Sequence, residues 1–171
     1  RNGGSPSPTP TAVRDHFAEP LADRFGLRKW RVINSGTEAT MDAFHLMRAI
    51  TGGKLVVKIE GTYHGHHDSA MVSLFRSEAD LGPIDDPVRI PGPGVTQEMA
   101  DCLRIVPYND LGALERVLDR HRGQLAGLIL EPRMMNAGII PPALGYLQGV
   151  RALTRPPGGP PRVRAAKQAL V

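Results

Sequence analysis

Residues 34–68 read NSGTEATMDAFHLMRAITGGKLVVKIEGTYHGHHD, and two changes of pattern within that stretch decide the fold. Ala39, Ala43, Leu46, Met47 and Ile50 recur at the spacing of one helix face, and Gly52-Gly53 ends the helix. Ser35 and Glu38 have the S-x-x-E spacing of a capping box, which places the turn Ser35-Gly36-Thr37 at the helix N-terminus. Leu55 to Ile59 is then a short apolar run of the length of a buried strand. Its end leads directly into Glu60-Gly61-Thr62-Tyr63-His64-Gly65-His66-His67-Asp68.

The same alternation continues outward. Leu103 to Val106 and Leu125 to Leu130 are further buried strands, while Leu111, Leu114, Val117 and Leu118 mark one helix and Leu144, Leu147, Val150 and Leu153 another. Strands alternating with helices predict an α/β fold with a mainly parallel sheet flanked by helices. Upstream, Trp30 to Asn34 reads as a short strand, and Val13, Phe17, Leu21 and Phe25 as a helix interrupted by Pro20. Residues 1–11 are a Ser, Pro and Gly stretch expected to be a flexible lead-in. Residues 70–101 are long and rich in Pro and Gly, the pattern of a functional loop or mobile segment.

Composition narrows the function classes. The formal charge is +4, but five basic residues and no acid fall in 151–171. That leaves 16 basic against 17 acidic residues over 1–150, a net of −1, which disfavours nucleic-acid binding by the folded part. No stretch approaches the ~20 apolar residues that span a bilayer, so no membrane partner is expected. The single cysteine, Cys102, forms no internal disulfide and fits a reducing compartment as a passive thiol. The chain opens on Arg1 with no apolar run of a signal peptide, and we read it as the interior of a longer product.

Three constellations carry chemistry. At Asn34-Ser35-Gly36-Thr37-Glu38-Ala39 the first amides of a helix lack internal partners and the dipole is positive. A phosphate could accept from the Gly36 and Thr37 N–H groups and the Thr37 hydroxyl, or Ser35 and Glu38 could simply cap the helix. At Glu60 to Asp68 an aromatic ring at a strand end could stack on a planar cofactor. A metal held by His64, His66, His67 and Asp68 and a set of surface histidines are the rival readings, though no metal-ligand spacing is present. At Glu131-Pro132-Arg133-Met134-Met135-Asn136-Ala137-Gly138, Asn136 could donate to a phenolate oxygen or stabilise its own turn. Lys54 and Lys58 read as solvent-facing charges.

NSGTEA, EGTYHGHHD, PYNDLGALE and EP…NAG with PP…GYL occur in that order. The chain resembles the class-III aminotransferases, and within them the glutamate-1-semialdehyde 2,1-aminomutases, over about residues 27–155. The resemblance implies a truncated, partial large domain of a fold-type I pyridoxal-phosphate-dependent transferase over 12–155, with pyridoxal 5′-phosphate as cofactor and a cytoplasmic location. It also implies that Ser35, Gly36 and Thr37 form the cofactor phosphate loop, that Tyr63 stacks on the pyridine ring with His64 following it, that Asn136 lies near the ring oxygen, and that Glu131 helps order the site. Arg133 and Met135 stand where the family usually has a small or aliphatic residue and glycine.

The implied parent reaction converts glutamate-1-semialdehyde to 5-aminolevulinate for tetrapyrrole synthesis, in a homodimer acting on a small amino or keto substrate. An ω-type transaminase and a non-catalytic remnant are the alternatives. Catalysis in the family needs an aspartate on the pyridine nitrogen and a lysine that holds the cofactor covalently. Here the chain ends in RPPGGPPRVRAAKQALV, and four prolines between 156 and 161 exclude a buried central strand. Residues 156–171 are therefore expected to be a divergent, disordered tail, out of frame or truncated. Lys167 lies in an Ala-rich basic run and is not assigned as the catalytic lysine, so this chain alone is expected to be inactive.

Overall fold

The computed structural model describes residues 12–27, 30–74, 77–83 and 86–155; the expected lead-in 1–11 and tail 156–171 lie outside them. Along the chain run α1 (Ala12–Phe25), α2 (Gly36–Thr51), β1 (Leu55–Ile59), a 3-10 turn (Glu78–Asp80), α3 (Gln97–Ala100), β2 (Leu103–Val106), α4 (Leu111–Arg120), β3 (Leu125–Ile129) and α5 (Tyr146–Thr154). The strands form a parallel sheet in the order β2-β1-β3. Val56 pairs with Leu103 on one side of β1, and Lys58 with Ile129 on the other.

Both faces of this sheet are covered, which is why its strands are continuously apolar rather than alternating. Leu55, Val57, Ile59 and Val106 pack with Leu114, Val117 and Leu118 of α4 and Tyr146 and Val150 of α5. On the opposite face Val56, Leu103, Ile105 and Ala126 pack with Phe44 and Met47 of α2, Val72 and Ala100. α2 lies so close to β3 that a Cβ at Gly127 would collide with the Met47 side chain.

Four expectations are corrected. Residues 30–34 form no strand. They have no partner strand in this sheet, and Trp30 instead donates from Nε1 to the Leu27 carbonyl (2.8 Å) and lies 5.7 Å from the Phe25 ring. On α2 the buried stripe is Thr40, Ala43, Phe44 and Met47, so the helix is turned to seat Phe44 and leaves Leu46 and Ile50 exposed. α5 begins at Tyr146 after Gly145 at φ +80, and Leu144 stands outside it, fully exposed. Lys58 is not solvent-facing: it is wholly buried in the middle of β1. The 70–101 segment is partly packed, with Ala70, Val72 and Ser73 buried and Val72 bridging Pro91.

Candidate functional site

Parallel strands aim their C-terminal ends at one edge of the sheet, and the loops leaving that edge are where open α/β sheets hold ligands. Here those loops are 60–68 after β1, 107–110 after β2 and 130–145 after β3. α2 places its N-terminus against the first of them.

That N-terminus is built by the capping residues. The Ser35 hydroxyl accepts the Glu38 N–H (3.2 Å) and donates to Glu38 Oε2 (2.9 Å). Both its bonding directions are thus engaged in the cap, and the anion-facing groups that remain are the Gly36 and Thr37 amides. Among the described residues these two donate to no acceptor, and no atom lies within 4 Å of where a Gly36 Cβ would stand. Thr37 Oγ1 accepts the His66 N–H (3.2 Å) and keeps its own proton available.

Loop 60–68 is fastened from both sides. One turn into α2, the Thr40 hydroxyl donates to the His64 carbonyl (2.6 Å) and lies 3.2 Å from His67 Nε2. Gly65, at φ +96, passes so near α2 that a Cβ would stand 2.8 Å from Thr37 Cα. On the other side the Glu131 carboxylate accepts the Tyr63 N–H through Oε1 (3.2 Å) and the Met135 N–H through Oε2 (2.8 Å). One acid therefore joins the loops after β1 and β3. The β3 loop is closed by mutual backbone bonds between Met134 and Ile140, and it is tied to the β2 loop by Tyr108 Oη donating to the Pro132 carbonyl (2.9 Å) and by Asn109 Oδ1 accepting the Ala143 N–H (2.8 Å).

Of the seven residues singled out in the sequence, Thr37, Tyr63, His64 and Glu131 are joined by this bonding. Gly36 and Ser35 belong to the same helix end. Asn136 sits at the exposed tip of the Met134–Ile140 loop and shares no hydrogen bond with the others. Tyr63 has its side chain part-exposed, whereas His64 is buried with no partner for Nε2 among the described residues. Burial pushes the His64 imidazole down to about 3, with the Lys58 ammonium and His67 adding to it, so the ring is neutral. Burial also lowers His67. No three His, Cys, Asp or Glu side chains converge on a metal position among the described residues.

Sequence reasoning missed Thr40, Lys58, Tyr108 and Asn109. Thr40 carried a signal, a hydroxyl on the buried face of a helix, and so did Lys58, a charge inside the apolar run LVVKI. Asn109 has positive φ (64°), which no local pattern announced.

The model of aminotransferase class III matches residues 9–158. The chain belongs to the class-III aminotransferases. Glutamate-1-semialdehyde 2,1-aminomutase 2 of Exiguobacterium sp. is 41% identical over 151 residues, 88% of this chain and 33% of that protein. The Aquifex aeolicus aminomutase is 44% identical over 130 residues, 75% and 29%. Among solved structures, an ω-transaminase from Sphaerobacter thermophilus superposes with a TM-score of 0.80 at 36% identity, covering 89% of this chain and 35% of that one. A glutamate-1-semialdehyde-aminomutase from Pseudomonas aeruginosa PAO1 gives 0.73 at 35%, covering 89% and 32%, and a variant of that enzyme was solved in complex with PMP. This class-III aminotransferase chain spans about a third of the length of the curated relatives it matches. Pyridoxal 5′-phosphate is the cofactor of the family. The Gly36 and Thr37 amides, unpartnered among the described residues, and the part-exposed Tyr63 on the loop fastened to the same helix end fit a phosphorylated planar molecule.

Proposed function

We propose that this chain is the phosphate- and ring-binding segment of a pyridoxal-phosphate-dependent enzyme. The observation that carries the reading is the double fastening of loop 60–68, to the α2 N-terminus through Thr37 and Thr40 and to the β3 loop through Glu131. Gly36 and Thr37 amides and the Thr37 hydroxyl hold the phosphate, aided by the helix dipole. Ser35 acts through the cap that fixes their direction. Tyr63 lies against the ring, His64 follows it as a buried neutral side chain in the same loop, and Asn136 donates to the ring oxygen. When bound, the cofactor supplies an electron-accepting ring that stabilises negative charge on the carbon next to the reacting nitrogen.

The parent reaction on this reading is exchange of amino and carbonyl groups on adjacent carbons of glutamate-1-semialdehyde, giving 5-aminolevulinate, in a homodimeric enzyme. The aminomutase names of the relatives support it. Two-substrate ω-type transamination is the second reading, favoured by the superposition on the Sphaerobacter ω-transaminase. An enzyme of full family length carrying this segment, given the semialdehyde with no second amino or keto compound, forms 5-aminolevulinate under the first reading and none under the second.

Cofactor binding is tested on this chain directly with pyridoxamine 5′-phosphate, which has no aldehyde to label lysines. Saturable binding, displaced by inorganic phosphate and weakened about tenfold by Thr37→Val, one charge-assisted hydrogen bond's worth, is the expected result. Binding that neither saturates nor responds to Thr37→Val removes the reading.

A further inference from the structure

The loop after β3, residues 130–145, carries Glu131, whose carboxylate must meet the Tyr63 and Met135 amides at once. A carboxylate on a side chain with three rotatable bonds bridges two loops well only where the backbone that bears it is fixed. The Met134–Ile140 backbone bonds close this loop on itself and the buried Met134 side chain seats its middle, but its two ends are held from elsewhere. What reaches both of them is the short loop after β2, residues 107–110. Tyr108 Oη donates to the carbonyl of Pro132, the residue after Glu131 (2.9 Å), and Asn109 Oδ1 accepts the N–H of Ala143, three residues before α5 (2.8 Å). The short loop is itself well fixed. The Tyr108 ring lies edge-on to the buried Tyr146 ring with centroids 5.1 Å apart. Asn109 sits at φ +64, a backbone conformation that asparagine tolerates, and the next residue, Asp110, caps α4. Residues held between a strand, a ring contact and a helix cap have little freedom left to lose, so bonds from them fix the longer loop at low entropic cost.

We propose that Tyr108 and Asn109 are positioning residues: they brace the two ends of the 130–145 loop so that Glu131 meets the Tyr63 amide, and through that acid they set the Tyr63 loop at the sheet edge. The consequence for the cofactor rests on the reading of Tyr63 as the ring-facing residue; the brace itself does not. Two bonds that merely add stability would, when lost, lower protection of the whole chain alike, whereas a brace that is lost loosens the Tyr63 loop ahead of the sheet.

The test measures amide hydrogen exchange and pyridoxamine 5′-phosphate binding in the full chain for Tyr108→Phe, Asn109→Gly, Asn109→Asp, Glu131→Ala and the double variant Tyr108→Phe/Glu131→Ala. Tyr108→Phe keeps the ring on Tyr146 and deletes the donor. It is expected to raise exchange at Tyr63 and Met135 about fivefold relative to Val57 in β1, the effect of one hydrogen bond on a local opening, and to weaken pyridoxamine phosphate binding in parallel. Asn109→Gly keeps the positive φ and removes the acceptor, so it should raise the same ratios and free the Ala143 amide as well. Asn109→Asp, which keeps an acceptor and tolerates that backbone, should restore the parent rates. The double variant should exchange no faster at Tyr63 than Glu131→Ala alone, because Tyr108 acts through that acid. A Tyr63-to-Val57 ratio unmoved by Tyr108→Phe or by Asn109→Gly overturns the proposal, as does Asn109→Asp no slower than Asn109→Gly, or a double variant faster than Glu131→Ala. If the parent chain does not bind pyridoxamine phosphate, the functional reading falls while the exchange ratios still decide the brace. Should Tyr108→Phe fail to fold, the two Asn109 variants carry the same comparison.

Discussion

Gly65 is the residue on which the meeting of helix and loop depends. Its φ of +96 and the 2.8 Å approach of a hypothetical Cβ to the Thr37 backbone are two independent reasons for glycine. The obstacle is main chain, which cannot swing aside as a side-chain tip can. Gly65→Ala is expected to lower stability by about 1–3 kcal/mol and to abolish pyridoxamine phosphate binding by lifting the loop from the α2 N-terminus. Gly36→Ala is the control, since open space surrounds that position and its φ is unremarkable. It should stay within about 0.5 kcal/mol of the parent chain. Urea midpoints of the two variants check the contrast, and equal losses would show that the close approach at Gly65 does not govern the fold. The motif containing Gly65 was legible in the sequence, but its reason was not, because the steric partner lies 28 residues earlier in the chain.

At the scale of elements, α4 is secured by Asp110, whose side chain accepts the Ala113 N–H at 2.8 Å. Asp110→Ala is expected to cost about 1 kcal/mol, while leaving the adjacent Asn109 bond to Ala143 and hence ligand affinity intact; a fall in affinity equal to the fall in stability would mean that α4 and the β3 loop move as one. Elements whose identity rests on local apolar runs were legible: β1 and β2 fall where the sequence places them, and β3 ends one residue before the expected Leu130. What failed depends on partners. Trp30 to Asn34 has the composition of a strand but no strand beside it among the described residues. The α2 pattern contains two overlapping apolar stripes, and only the flat sheet beneath, cleared by Gly127, selects the one with Phe44. Lys58 looked exposed because β2 and β3, the strands that flank β1 and help to bury it, are remote in sequence. Thr37, Tyr63, His64 and Glu131 were singled out as candidate site residues through family motifs, whereas the bonds joining them were not legible.

For the molecule as a whole, Lys58 in the sheet and His64 in the loop after β1 are among the buried groups whose charged forms the fold disfavours, and together they shape stability against pH. His64 falls to about 3 in the fold from an ordinary value near 6.5. Between those pH values the unfolded chain binds a proton that the folded chain refuses, so His64 makes stability fall as pH drops from about 6.5 toward 3. Lys58 falls to about 8 from 10.5. The unfolded chain then carries the extra proton between about 8 and 10.5, and Lys58 makes stability rise as pH increases across that window. The shifts correspond to on the order of 5 kcal/mol for His64 and about 3 kcal/mol for Lys58. Both are large beside the 5–15 kcal/mol typical of a whole domain. The expected profile has an acid limb, a shelf between about pH 6.5 and 8, and an alkaline contribution of the opposite sense to the loss that most proteins show there. His67, also lowered by burial, adds to the acid limb, so the difference between the parent chain and His64→Gln isolates His64. Urea midpoints at pH 4, 7 and 9.5 for the parent chain, His64→Gln and Lys58→Met make the measurement. Each variant should flatten its own limb alone. An acid limb unchanged in His64→Gln would place that imidazole in water, and an alkaline limb unchanged in Lys58→Met would place the lysine there too.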